Sequence, residues 1–331
     1  MTAVAMPQSS LFTLDIPVPP KQSTSLASTA MLSSLSISQW SGYKYDPDAS
    51  EELATMHGAE SDAARVNKRL VPRSELKEIT QAISHARHDH EFLTLPWTDD
   101  GWRVLPAGTY FEHSKKMQDH KTAILTAVDN LIARFETVVR NQSRLGTLLK
   151  VSDYPGMRQE GEALRFLFPQ ELRDKYSFAT DVKPLPDADD FRVNIGDEER
   201  ERLKRQIAES VQASLRAGTR DLWQRLYDVV RHMSTRMSEY NGAEEGNKPK
   251  LYKSMVTNIV DIVDVLPRLN ISGDEELNRM TETIRHSLLV DTDELRKSEA
   301  LRNDTAKAAA DIMQRMAAYM GLPPDGSQVV S

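Results

Sequence analysis

Few residues in this chain combine a reactive type with a spacing that could do chemistry. His85 and His88 sit one helical turn apart, with Asp89 beside them, and such a trio is the minimum from which a metal site is built. No distant fourth ligand accompanies them, and no metalloprotease-type His-Glu-x-x-His pair occurs. The expectation is therefore solvated histidines, with His85, His88 and Asp89 only a weak metal candidate. Asp153, Asp187, Asp189 and Asp190 form a second acidic group. Metal-dependent nucleases use such carboxylates with a lysine at fixed spacing. Phe191-Arg192-Val193 after Asp190 does not supply it, so acidic turn residues are expected. The glycines are scattered singly, which gives no phosphate-cradling loop, and no Ser-His-Asp order can be assembled. No cofactor is expected, and no residue is singled out as catalytic.

Binding chemistry has more to work with. Trp97 and Trp102 flank Thr98-Asp99-Asp100-Gly101, a turn signal in which Asp-Gly accepts positive φ. With Arg103 beside them they could stack bases or pack on a helix. Asp190, Phe191 and Arg192 are the matching candidates in the irregular stretch 151–195. A third set, Arg200, Lys204, Arg216, Arg220 and Arg225, could partly share one helix face and meet phosphates. Acidic residues are interleaved almost one for one, which favours a salt-bridged solvent face.

These residues hang on long helices. Leu203, Ile207, Val211 and Leu215, then Leu222, Leu226, Val229, Met233, Met237 and Tyr240, form one apolar stripe over 198–240. No proline interrupts it, and it would extend about 65 Å. Gly218 is its weak point, where a bend is allowed. Such a stripe needs a cover. Met117, Ile124, Leu131, Val138 and Leu145 recur every seven residues, and Lys121, Val128, Phe135, Gln142 and Leu149 fill the alternate step. The segments 110–149 and 198–240 are thus expected to pair as an antiparallel, coiled-coil-like hairpin.

The rest is arranged around that body. Residues 1–34 read as a tail and 35–109 as a small region mixing strands and helices with the tryptophan hairpin. The helical hairpin occupies 110–240, with a β-containing tip at 151–195. Within the tip, Glu160–Phe168 is expected as a short helix, and Tyr176–Lys183 and Asp190–Ile195 as strands. Ser74 reads as an N-cap. Residues 241–249 form a linker and 250–322 a three-helix region, before a short tail at 323–331. In the C-terminal region Pro267 should end one helix, Ser272 with Glu275 should cap the next, Asp291 with Glu294 the third, and Gly321 should stop it. Met313, Met316 and Met320 read as adaptable core. The class is mainly α, or α+β.

Composition narrows the function classes. The chain has 42 Lys+Arg against 49 Asp+Glu, a net charge of -7, which argues against bulk nucleic-acid packaging but not against a local basic patch. There is no cysteine, which excludes disulfides and thiolate chemistry. No run of about 18 apolar residues and no secretory signal occur, so no membrane is expected and the default compartment is the cytoplasm.

Leu93–Phe111, Asp153-Tyr154-Pro155, the run Pro186–Val193, Trp223–Tyr227 and Leu266–Asn270 occur in an order and spacing that resembles a family of proteins of tailed bacteriophages and prophages. The resemblance spans roughly Leu35 to the C-terminus. That family has no assigned activity, so the resemblance implies an origin, and with it a bacterial cytoplasm or a virion. The expected function is a non-enzymatic interaction or assembly protein that engages a protein partner or a second copy of itself. The alternatives are an accessory nucleic-acid binder in replication or recombination and a metal-dependent enzyme.

Overall fold

The computed structural model describes residues 26–60, 62–97, 100–141, 148–187, 196–240 and 251–321. Strand β1 (Ala30–Ser38) leads to β2 (Tyr43–Asp46), helix α1 (Pro47–Met56) and β3 (Val66–Arg69). Helix α2 (Arg73–Phe92) follows, then β4 (Leu95–Pro96), β5 (Trp102–Pro106) and α3 (Tyr110–Arg140). The middle of the chain holds β6 (Met157–Glu160), β7 (Ala163–Phe166), α4 (Pro169–Arg173), β8 (Ser177–Pro184) and the 43-residue α5 (Asp197–Glu239). Helices α6 (Lys253–Leu269), α7 (Glu275–Leu288), α8 (Thr292–Lys297) and α9 (Glu299–Met320) complete it. The protein is mainly helical, with small antiparallel sheets.

The chain divides into two compact units. The first takes its described residues from 26–32, Leu93–Thr109 and Lys183 onward; the second is Ser33–Phe92 with Tyr110–Val182. In the first unit α5 packs on α9 and α6, and Leu222, Trp223, Leu226, Val230 and Met233 are almost wholly buried. In the second, α3 packs on α2 around Phe135, whose ring meets those of Trp40, Tyr154 and Phe166.

The expected hairpin of α3 with α5 is not confirmed; each unit supplies a cover of its own. α2 covers α3, and α9 with α6 covers α5. An apolar stripe states that a cover is needed and carries no address for it, because hydrophobic burial is non-directional. The heptad in α3 also loses register. Met117, Ile124 and Leu131 are buried, but at the next step Val139 is buried while Val138 is only half-buried. A straight helix drifts in this way against a seven-residue repeat. Positions Gln142 and Leu145 lie outside the described residues. In α5 the first half of the stripe, Leu203 to Leu215, is half-buried. Gly218 marks a close approach rather than a bend, since a Cβ there would lie 3.3 Å from Leu95 Cδ1.

Several local expectations change. Residues 157–166 form the β6–β7 hairpin instead of a helix, because Gly161 supplies the positive φ of 60° that turns the chain between them. Ser74 lies inside α2, which starts at Arg73. α6 runs two residues past Pro267. Asp274, not Ser272, caps α7, accepting from Glu276 N and Leu277 N. Asp291 caps a helix as expected, but that helix is the short α8, and Ser298 restarts the chain as α9. Gly321 ends α9 in the left-handed conformation. Met316 and Met320 are buried and Met313 is half-buried.

Candidate functional site

The second unit holds a polar site built from three separated segments. β2 and β3 pair antiparallel with Tyr43 opposite Arg69, Lys44 opposite Lys68, Tyr45 opposite Asn67 and Asp46 opposite Val66. Side chains alternate across a strand, so Lys44, Asp46, Val66 and Lys68 share one face and Tyr43, Tyr45, Asn67 and Arg69 the other. Gly42 delivers the chain into β2 at φ 69°, and its carbonyl accepts from Leu70 N. A Cβ there would strike Leu76 Cδ1 at 2.8 Å.

The inner face is a closed charge network. Lys68, with a side chain only 7% exposed, reaches Asp46 Oδ2 at 3.2 Å and Asp153 Oδ2 at 3.0 Å, and donates to the Leu148 carbonyl at 3.3 Å. Three acceptors meet three ammonium protons. Asp153 also takes Lys44 at 3.0 Å and the Lys150 backbone N–H at 2.9 Å. Asp46 doubles as the N-cap of α1, accepting from Ala49 N at 3.2 Å, while Ser50 bridges the Asp46 carbonyl and Val66 N. Burial works against the charge on Lys68, but the hydrogen bonds to Asp153 and Asp46 outweigh it and raise its pKa. Burial likewise opposes the charge on Asp153, and the Lys150 N–H with the two lysines overcomes it, holding the carboxyl below its ordinary value. The Ala49 N–H, aided by Lys68, does the same for Asp46 against the opposing effect of burial. Asp46, Lys68 and Asp153 therefore stay ionised near neutral pH.

Beside this network lies an open groove of about 1580 Å³. Trp40, Tyr43, Lys44, Asp153, Tyr154 and Met157 line one part of it, and Arg158, Gln159, Glu171 and Lys175 another. Tyr154 donates its hydroxyl to the Leu70 carbonyl at 2.9 Å, and burial, with the Asp153 charge, pushes its pKa up to about 12. It is a fixed phenol, not a base. Glu171 accepts from Gly156 N at 2.7 Å and pairs with Arg158 at 2.6 Å, and these partners lower its pKa against a smaller effect of burial. Arg158 also lies over the half-exposed Phe168 ring. Gly156 is required here, because a Cβ would sit 2.2 Å from the Phe168 carbonyl oxygen.

A second polar cluster joins α2 to α3. His90 Nδ1 and His113 Nε2 are 2.9 Å apart in the interior. Asp89 takes His120 at 2.7 Å and Lys116 at 3.3 Å. Burial opposes the Asp89 charge, yet His120 and Lys116 lower its pKa. Asp89 is thus engaged by α3, whereas His85 and His88 are exposed and His88 stacks on Phe92. Among the described residues no group of three or more His, Asp or Glu could hold a metal ion.

The remaining sequence candidates are dispersed. Trp97 is half-buried, and its carbonyl accepts from Ser214. Trp102 lies under Lys183 Nζ at 3.7 Å. Arg103 and Arg225, drawn from two different candidate sets, converge on buried Thr94: Arg103 Nε donates to its hydroxyl at 2.7 Å and Arg225 to its carbonyl at 2.9 Å. Arg225 also pairs with Asp221, Arg200 with Asp197, and Lys204 with Glu201. Arg216 is exposed and Arg220 half-buried on α5. Asp190, Phe191 and Arg192 lie outside the described residues, as does Asp189. Asp153 and Asp187 belong to different units.

Sequence reasoning missed Asp46 and Lys68. Both left a signal. Asp46 before Pro47 is an N-cap followed by proline at the first helical position. Lys68 has the strand parity of Val66 and Leu70 and so had to point inward. No family model, no curated protein and no solved structure matches this chain.

Proposed function

We propose that this chain is a non-enzymatic interaction protein, of phage origin, and that the groove of the second unit receives an extended segment of a protein partner. One observation carries the proposal: Asp153, Glu171 and Tyr154 in the groove wall are already engaged by the chain itself. Asp153 is held by Lys44 and Lys68, Glu171 by Gly156 N and Arg158, and the Tyr154 hydroxyl by the Leu70 carbonyl. Groups fixed in this way hold a shape; they do not exchange protons with a substrate near neutral pH. The half-buried Trp40 and the exposed Phe168 beside Arg158 offer the mixture of apolar anchor and charge that protein interfaces use.

A photo-crosslinking residue placed at Gln159, in the groove, should capture a discrete protein in infected bacterial cells. The same residue at Met56, exposed on α1, should not. Equal capture at both positions, or none at Gln159, removes the groove from the proposal. No described helix is long and apolar enough to cross a membrane, so the partner is sought among proteins.

A further inference from the structure

The outer face of the β2–β3 pair carries a different binding chemistry from the groove, and its argument does not rest on the groove proposal. Tyr43 and Tyr45 stand side by side on this face, about 6.8 Å apart along the strand, with Asn67 and Arg69 opposite them. Their rings remain 40% and 44% exposed. Arg69 lies 4.4 Å from the Tyr43 ring centre and also donates to its hydroxyl, and Arg65 lies 5.1 Å from the Tyr45 ring centre.

The state of these cations separates this face from the long helix. On α5 the cations Arg200, Arg202, Lys204, Arg225, Arg231 and Arg236 each pair with an acid three or four residues away. Arg65 and Arg69 pair with no carboxylate among the described residues; their guanidinium groups rest on tyrosine rings. An arginine without an internal anion is available to an external one, and a tyrosine beside it offers a π-face to a planar base. The platform is also held in place before any ligand arrives. Lys68, between Asn67 and Arg69, points the other way into the Asp46–Asp153 network and ties β3 to the interior.

We infer that the Tyr43–Tyr45–Arg65–Arg69 face binds single-stranded nucleic acid, with two bases stacked on the tyrosines and the backbone phosphates on Arg65 and Arg69. A duplex does not fit this chemistry, because its bases present their faces to one another and not to a platform.

Fluorescence anisotropy on the full chain, with a labelled ten-nucleotide oligo(dT) or oligo(U), tests the assignment. Two phosphate contacts predict that log K falls against log salt with a slope of about −1.4, and Arg65→Gln with Arg69→Gln should bring this close to zero. Tyr45→Leu should weaken binding roughly tenfold and leave the slope unchanged. A duplex of the same length should bind at least tenfold more weakly. Arg65→Glu serves as a second variant if the double glutamine variant has a lowered thermal midpoint. No binding at 50 mM salt overturns the inference. So does binding indifferent to Tyr45, or polyglutamate binding as tightly as the oligonucleotide, which would mark the face as a site for acidic protein. Failure here leaves the Gln159 crosslink untouched, so the two proposals fall separately.

Discussion

The two units bury their polar groups in different ways. In the first unit the buried charged groups, Asp274 and Arg302, serve helix ends. Asp274 caps α7 and accepts from Trp223 Nε1 at 2.9 Å, and buried Arg302 donates to the Leu295 and Arg296 carbonyls just ahead of it. In the second unit Asp46, Lys68 and Asp153 come from three distant segments and compensate one another. Helix-end groups are required wherever those helices form. A buried cation between two acids instead selects one arrangement of its segments, since every other arrangement strands a charge. The first unit is specified mainly by shape, the second by shape and charge together. The groove and the tyrosine–arginine face both lie on the unit that carries the network.

The largest expected effect tests the apolar half of this contrast. Phe135→Ala empties the centre of the ring cluster formed by Trp40, Tyr154 and Phe166, and should cost about 3–5 kcal/mol. Thermal melts followed by circular dichroism would show it. An unchanged midpoint would mean that Phe135 is not the keystone of the second unit. The next effect compares the polar interiors. Lys68→Met leaves Asp46 and Asp153 facing each other and should cost on the order of 2 kcal/mol. Asp274→Asn keeps a capping oxygen for the Glu276 and Leu277 N–H groups but loses the acceptor of Trp223 Nε1, and should cost about 1 kcal/mol. Urea titrations of the two variants rank them, and a reversed order would erase the contrast.

The last test is read from pH. Burial holds His113 at about 4 against its ordinary 6.5, so the folded chain binds fewer protons than the unfolded one between these values. Stability should therefore decline as pH falls from 6.5 towards 4. His113→Asn should flatten that decline. The lowered carboxyls Asp46 and Asp153 act in a separate window, because their contribution is complete above 3.8 and is lost only as pH falls further. A variant that keeps the wild-type slope between 6.5 and 4 would place the titrating group elsewhere.

Elements with a strong local signal were legible in the sequence. The stripe of α5, the turn between β4 and β5, the Asp291 cap and the Gly321 stop each depend on residues within a few positions of one another. The partners of α3 and α5 were not legible, since any helix with an apolar face satisfies a stripe. The segment Glu160–Phe168 was misjudged because Leu164, Leu167 and Phe168 fit a helical count while Leu164 and Phe166 fit a strand. Only the left-handed Gly161 decides between them. Of the charge network, Asp153 was legible as a carboxylate but not as a neutralised one, because its lysines arrive from more than eighty positions away.

One feature of the chain path bears on how the protein is made. The second unit needs nothing beyond Val182, whereas the first unit draws on Leu93–Thr109 and then on everything from Lys183. During synthesis the groove and the tyrosine–arginine face can form while α5 and the C-terminal helices are still untranslated. The β4–β5 hairpin leaves the ribosome early but must wait for α5 to cover Leu95. At roughly 5–20 residues per second that wait lasts several seconds, during which a chaperone or a partner has access to the uncovered hairpin.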